Sequence, residues 1–80
     1  MPPAELAQLV RARPFRPFRL LLSDGMVYEV HHPDMVIVAL STAHIGYPDP
    51  AHPGVSARVD IVSLRHIVRV EFLGEPAPAQ

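Results

Sequence analysis

The chain contains no cysteine, no lysine and no asparagine, and its net charge is only −1. Without cysteine, neither a disulfide nor a thiolate-bound metal can brace the core. The near-zero net charge excludes a polycation that would hold nucleic acid by bulk attraction alone. No apolar run approaches the ~20 residues of a membrane span. The segment before Arg11 carries Glu5 and lacks the long apolar stretch of a secretory leader, so a cytoplasmic protein with no membrane partner is the expectation. The histidines lack ligand spacing. His31 and His32 are adjacent and would point to opposite faces of a strand, and His44, His52 and His66 form no HxxxH-type pair. No metal and no cofactor is expected.

What is present is hydrophobic. Eighty residues make a single small domain that buries roughly 60–65% of its unfolded surface. Yet 49% of the residues are hydrophobic, which points to further burial between subunits. All seven basic residues are arginine, and Arg11, Arg13, Arg16 and Arg19 lie close together. Arginine's planar fork suits phosphate and carboxylate; a codon bias shared with the abundant alanine and proline is the plainer explanation.

Pro2 and Pro3 suit a helix start, and Leu6, Leu9 and Val10 form one apolar stripe, so a short helix should run until Pro14 stops it near Arg11 or Ala12. FRLLLSDGMVYEV reads as a hairpin. A two-residue Asp24-Gly25 turn would set Glu29 and His31 on the core face. A three-residue loop, Ser23-Asp24-Gly25, instead pairs Leu22 with Met26, Leu20 with Tyr28 and Phe18 with Val30. That loop closes through a glycine in the left-handed region, so Gly25 is the structural turn residue. Met35–Leu40 is a continuous apolar run, expected to be covered on both faces. STAHIGYPDPAHPG is expected to be largely loop. Val55–Val62 alternates, Ser63–His66 reads as a tight turn, and Ile67–Leu73 is the last strand. The polar, proline-rich tail, 74–80, is expected to be disordered.

A short helix, five strands, a bulged first hairpin and a tight turn before the last strand resemble an Sm-like (SH3-like) small barrel. Residues 6–13, LAQLVRAR, are similar to the helix end of the Hfq family of bacterial RNA chaperones, which has that fold. FRLLLSDG resembles its first Sm motif and HPDMVIVAL the strand after its central aspartate. VSLRHIVRVEF resembles the second motif, with Arg65-His66 where the family has a Lys-His pair. The likeness covers most of residues 4–73. It departs in the PFRPFR insertion, in Val30 where a glycine is usual, in the longer Pro/His-rich loop and in Arg65. The chain is still more similar to a set of small bacterial proteins with RPFRPF, a strand, DG and then HP, a likeness that bears on fold.

The resemblance implies a mainly β fold with an N-terminal helix, a five-stranded antiparallel barrel forming one domain over 1–73. It implies a homo-oligomer, a ring rather than a dimer, that binds single-stranded RNA. The contacts would be Arg11, Arg13 and Arg16 beside the helix, and Arg65 and His66 in the second motif. The RARPFRPFR stretch also interleaves arginine with rings, as nucleic-acid surfaces do, although Phe15 and Phe18 could equally be core anchors. The alternative is the same fold as a structural or protein-interaction module without nucleic acid. Ser63, His66 and Asp60 form the one compact Ser/His/Asp grouping, but a small barrel offers it no cleft, so no catalytic residue and no enzyme is expected.

Overall fold

A computed structural model describes residues 1–74; the expected tail, Gly74 apart, lies outside the described residues. Helix α1, Pro3–Arg11, begins on a proline whose missing N–H costs nothing there. Leu6 is fully buried, and Leu9 and Val10 pack against the core from the same stripe. Arg13 closes the helix by donating from Nη1 to the carbonyls of Val10 (3.1 Å) and Ala12 (2.8 Å).

Strands β1, Phe18–Leu22, and β2, Val27–Val30, pair Phe18 with Val30 and Leu20 with Tyr28. The Leu22 N–H donates to the Met26 carbonyl at 2.9 Å, which leaves the three-residue loop Ser23-Asp24-Gly25. Asp24 Oδ1 accepts from the Met26 N–H at 2.9 Å, and Gly25 stands at φ +90°. This register turns Phe18, Leu20, Leu22, Tyr28 and Val30 inward, and all five are buried. Strand β6, Ile67–Phe72, pairs with the other edge of β1, so the first sheet has the order β2-β1-β6.

The chain leaves this sheet through a 3-10 turn at Pro33–Met35. Strands β3 (Val36–Val38), β4 (Thr42–Pro48) and β5 (Ser56–Ser63) then form a second antiparallel sheet, β3-β4-β5. A second 3-10 turn, Leu64–His66, returns the chain to β6. Val36, Ala43, Ile45 and Val62 face inward from the second sheet and meet the inward side chains of the first, with Leu6 of α1 in the same cluster. Burying each such large aliphatic or aromatic side chain is worth about 1.5–3 kcal/mol.

The expected five-stranded barrel is not what forms. The fold is a small α/β arrangement of two separate three-stranded sheets, and among the described residues no ladder joins them. Pro33 has no N–H to donate, and both connections between sheets run through 3-10 turns rather than continuous strand. The Sm-like and Hfq-like assignment, and the oligomeric barrel in either of its expected roles, lose their structural basis with the missing closure.

A second correction concerns STAHIGYPDPAHPG. Its first half is β4, the central strand of the second sheet, paired on both sides. Ala43 and Ile45 alternate inward as a core strand should, whereas Pro48, Pro50 and Pro53 all lie at or beyond the strand's end. Composition averaged over the segment hides a strand in front of a loop. Strand β3 is covered on one face only: Val36 is buried and Ile37 is 68% exposed, while Leu40, past the strand's end, is 90% exposed.

No atom lies within 4 Å of where a Cβ on Gly25 would be, so the constraint there is conformational alone. Gly25→Ala is expected to lower stability by about 1 kcal/mol, the cost of an L side chain at positive φ. Urea midpoints of the two proteins check it; an unchanged midpoint would mean that the loop does not require the glycine.

Candidate interaction surface

The strand registers decide what each sheet shows to solvent. On the first sheet Arg19 lies between Glu29 and Glu71. Its guanidinium reaches Glu29 at 3.2 Å and Glu71 at 3.3 Å; Glu71 also pairs with Arg69, and His31 Nε2 lies 3.3 Å from Glu29. This outer face carries a charge ladder, with Leu21 and the half-exposed Val27 beside it. Glu71 is held below its ordinary value chiefly by the hydrogen bond from Arg69.

The second sheet differs. Ile37 pairs with His44, His44 with Ile61, Gly46 with Val59 and Thr42 with Ser63. These residues alternate with the buried set, so they form the outer face, and none is an acid, lysine or arginine. Ile37, Val59 and Ile61 are 68%, 55% and 63% exposed. His44 lies among them with Nε2 at 3.3 Å from Thr42 Oγ1. The usual sense of an amphipathic strand is thus inverted along β5: Val59 and Ile61 point out, while Arg58 and Asp60 share the inner side with Val62.

Those inward charges are satisfied at the rim of the core. Arg58 grips Asp60 through two bonds, Nε to Oδ1 at 2.9 Å and Nη2 to Oδ2 at 3.0 Å. The Tyr28 hydroxyl, from the first sheet, donates to Asp60 Oδ2 at 2.8 Å. The Arg58 guanidinium also lies 4.8 Å from the Tyr47 ring centroid. Arg58 and then Tyr28 hold the Asp60 carboxyl below its ordinary value against the opposing effect of burial. The Tyr28 phenol is pushed up to about 12, first because Asp60 keeps its proton and then by burial; burial also raises Tyr47. Strand β5 is an edge strand: among the described residues only β4 pairs with it. Its register slips between Tyr47 and Pro48, leaving Ala57 unpaired as a bulge.

The expected RNA contacts lie on α1, on the segment that follows it and on the second 3-10 turn. Arg11 ends α1, and Arg13 is engaged by the helix carbonyls. Arg16 lies 3.8 Å from the Phe72 ring centroid. Arg65 and His66 belong to the second 3-10 turn, which sits near the start of α1, where the Met1 ammonium donates to the Leu64 carbonyl at 3.0 Å. Arg11 stands at the other end of α1, which rises about 12 Å from Pro3. His66 finds Ser23 rather than Ser63: Ser23 Oγ is 3.1 Å from His66 Nδ1, and the Ser23 N–H donates to the His66 carbonyl at 2.8 Å. Asp60 is taken up by Arg58 and Tyr28, so the Ser/His/Asp grouping does not assemble. Among the described residues no three His, Asp or Glu side chains gather as metal ligands, and no helix is long and apolar enough to cross a membrane.

Sequence pattern alone does not single out Ile37, Val59 and Ile61 as a surface. The run Met35–Leu40, apolar at more successive positions than a sheet covered on one side can bury, is a signal for Ile37 alone.

The tyrosine–aspartate bond links the sheets to pH. Because the folded value of Asp60 lies below the unfolded one, its contribution is complete above the ordinary carboxylate value of about 3.9 and is lost as pH falls through the lowered value. Tyr28 acts in the opposite sense, contributing below about 10 and losing that contribution as pH rises toward its own raised value. Urea midpoints across acid pH should fall less steeply for Asp60→Asn than for the parent. Titration of phenolate absorbance should lose its highest component in Tyr28→Phe. Identical acid slopes would show that Asp60 is not coupled to folding. Neither protein-family models, nor curated proteins, nor solved structures give a match to this chain.

Proposed function

We propose that this chain works by association rather than catalysis, as a small two-sheet module whose partner is another copy of itself. One observation carries the reading: a ladder of paired charges crosses the outer face of the first sheet beside Leu21 and Val27, whereas the outer face of the second holds no acid or arginine, exposes Ile37, Val59 and Ile61, and runs to an open strand edge. Contiguous exposed apolar area of this kind marks an interface more often than a solvated face, and an unpaired edge supplies backbone donors and acceptors for it. The excess of hydrophobic residues over what so short a chain can bury agrees with this. Against catalysis, the Ser23–His66 pair is exposed, and among the described residues no carboxylate orients the imidazole.

Sedimentation velocity over a micromolar concentration series tests it. The expected outcome is a mass above the 8.8 kDa of one chain that rises with concentration. Ile61→Glu should shift the equilibrium toward the monomer, and at concentrations where the parent is itself monomeric it should leave the urea midpoint nearly unchanged, because Ile61 is already exposed. A single-chain mass at every concentration would overturn the reading.

A further inference from the structure

Strand β5 carries opposite charges two positions apart, Arg58 and Asp60, on either side of Val59. Charges on an edge strand ordinarily discourage pairing. Here their sign and spacing instead select one partner. Suppose that a second copy adds antiparallel to β5 about a two-fold axis perpendicular to the sheet. Directly opposed residues must then lie on the same face, so the axis falls between one residue and its own copy. Centring on Arg58 opposes two arginines, and centring on Asp60 opposes two carboxylates, both destabilising. Centring on Ile61 sets Asp60 against the buried Val62 and Arg58 against Leu64. Centring on Val59 alone sets each Arg58 opposite the other copy's Asp60, twice over.

Resting on the association reading above, we infer that β5 pairs with β5 of a second copy in the register centred on Val59. The result is a two-fold dimer with one continuous six-stranded sheet. On the outer face that register brings Val59 against Val59, covering the side of the exposed valine that β4 does not touch. On the inner face the bidentate Arg58–Asp60 pair of each chain becomes a four-membered cluster of alternating charge, already anchored by Tyr28 and Tyr47. The occupant is chosen by charge complementarity: a foreign strand would have to reproduce the same pair at the same spacing. The bulge at Ala57 bounds the ladder on one side and the second 3-10 turn bounds it on the other.

Charge exchange between two variants tests the register. Arg58→Glu alone sets a glutamate against Asp60, and Asp60→Arg alone sets a second arginine against Arg58. Each should raise the dimer dissociation constant about tenfold or more. A one-to-one mixture of the two places opposite charges at both pairs and should restore a dimer containing one of each, seen as the mixed mass by native mass spectrometry. Because the chain has no cysteine, Val59→Cys supplies a second readout that leaves both charges and the Tyr28 bond in place. It should form a disulfide-linked dimer under mild oxidation, whereas Ile37→Cys, on the opposite edge strand, should not. If the parent chain associates but the mixture stays unpaired and Val59→Cys does not cross-link, the register is wrong while the association reading stands. If the parent is monomeric throughout, the association reading fails first. A ring mass above the dimer would replace the two-fold arrangement by a head-to-tail one.

Discussion

The inner faces of two narrow sheets share a single apolar core, and among the described residues no backbone ladder joins them. Everything else in the molecule follows from that constraint. Each sheet has only three strands and one apolar face to bury, so the packing of Phe18, Leu20 and Val30 with Ile45 and Ala43 in one cluster holds both. The Tyr28–Asp60 bond adds a polar tie at the rim, and the Ser23–His66 backbone bond fastens the hairpin loop to the second turn. A closed barrel would have removed its edges; two open sheets retain them at β2, β6, β3 and β5.

Retained edges make the outer surfaces consequential. The first sheet places the Glu29, Arg19, Glu71 and Arg69 side chains across its three strands, which keeps that face hydrated. The second sheet turns its charges inward, where Arg58 and Asp60 satisfy one another and receive Tyr28, and so has none left for its outer face. Charge partition between the faces, rather than total charge, sets how this near-neutral chain can meet a partner.

Much of the local structure is legible in the residues. The alternation from Phe18 to Val30 admits one register that keeps Glu29 and His31 off the core. The Ser-Asp-Gly stretch, the helix bounded by Pro3 and Pro14, and the tight turn before Ile67 are equally readable. The long-range arrangement is not. Whether β3 continues a barrel or begins a second sheet depends on what the chain does at Pro33, and a proline break is compatible with both. Strand β4 is hidden because three prolines and two glycines colour a window whose first half obeys a different rule. The surface is illegible for a further reason: alternation reveals that Val59 and Ile61 share a face, but not whether that face looks in or out. On β5 the partner of Asp60 decides it, and that partner, Tyr28, is 32 positions away.

The bulge at Ala57 also separates the main run of β5, 58–63, from Ser56 and the loop before it. Beyond it, the Asp49 N–H donates to the Val55 carbonyl at 2.8 Å, and Asp49 turns its carboxylate back onto the Ala51 N–H and the His52 ring. The loop between β4 and β5 is thus closed on itself and hinged at a residue that takes no part in the ladder. Insertions there would be absorbed locally, leaving Arg58 to Ile61 in place. It is where this small fold has room to lengthen in evolution, or to accept a grafted segment, without altering its edge.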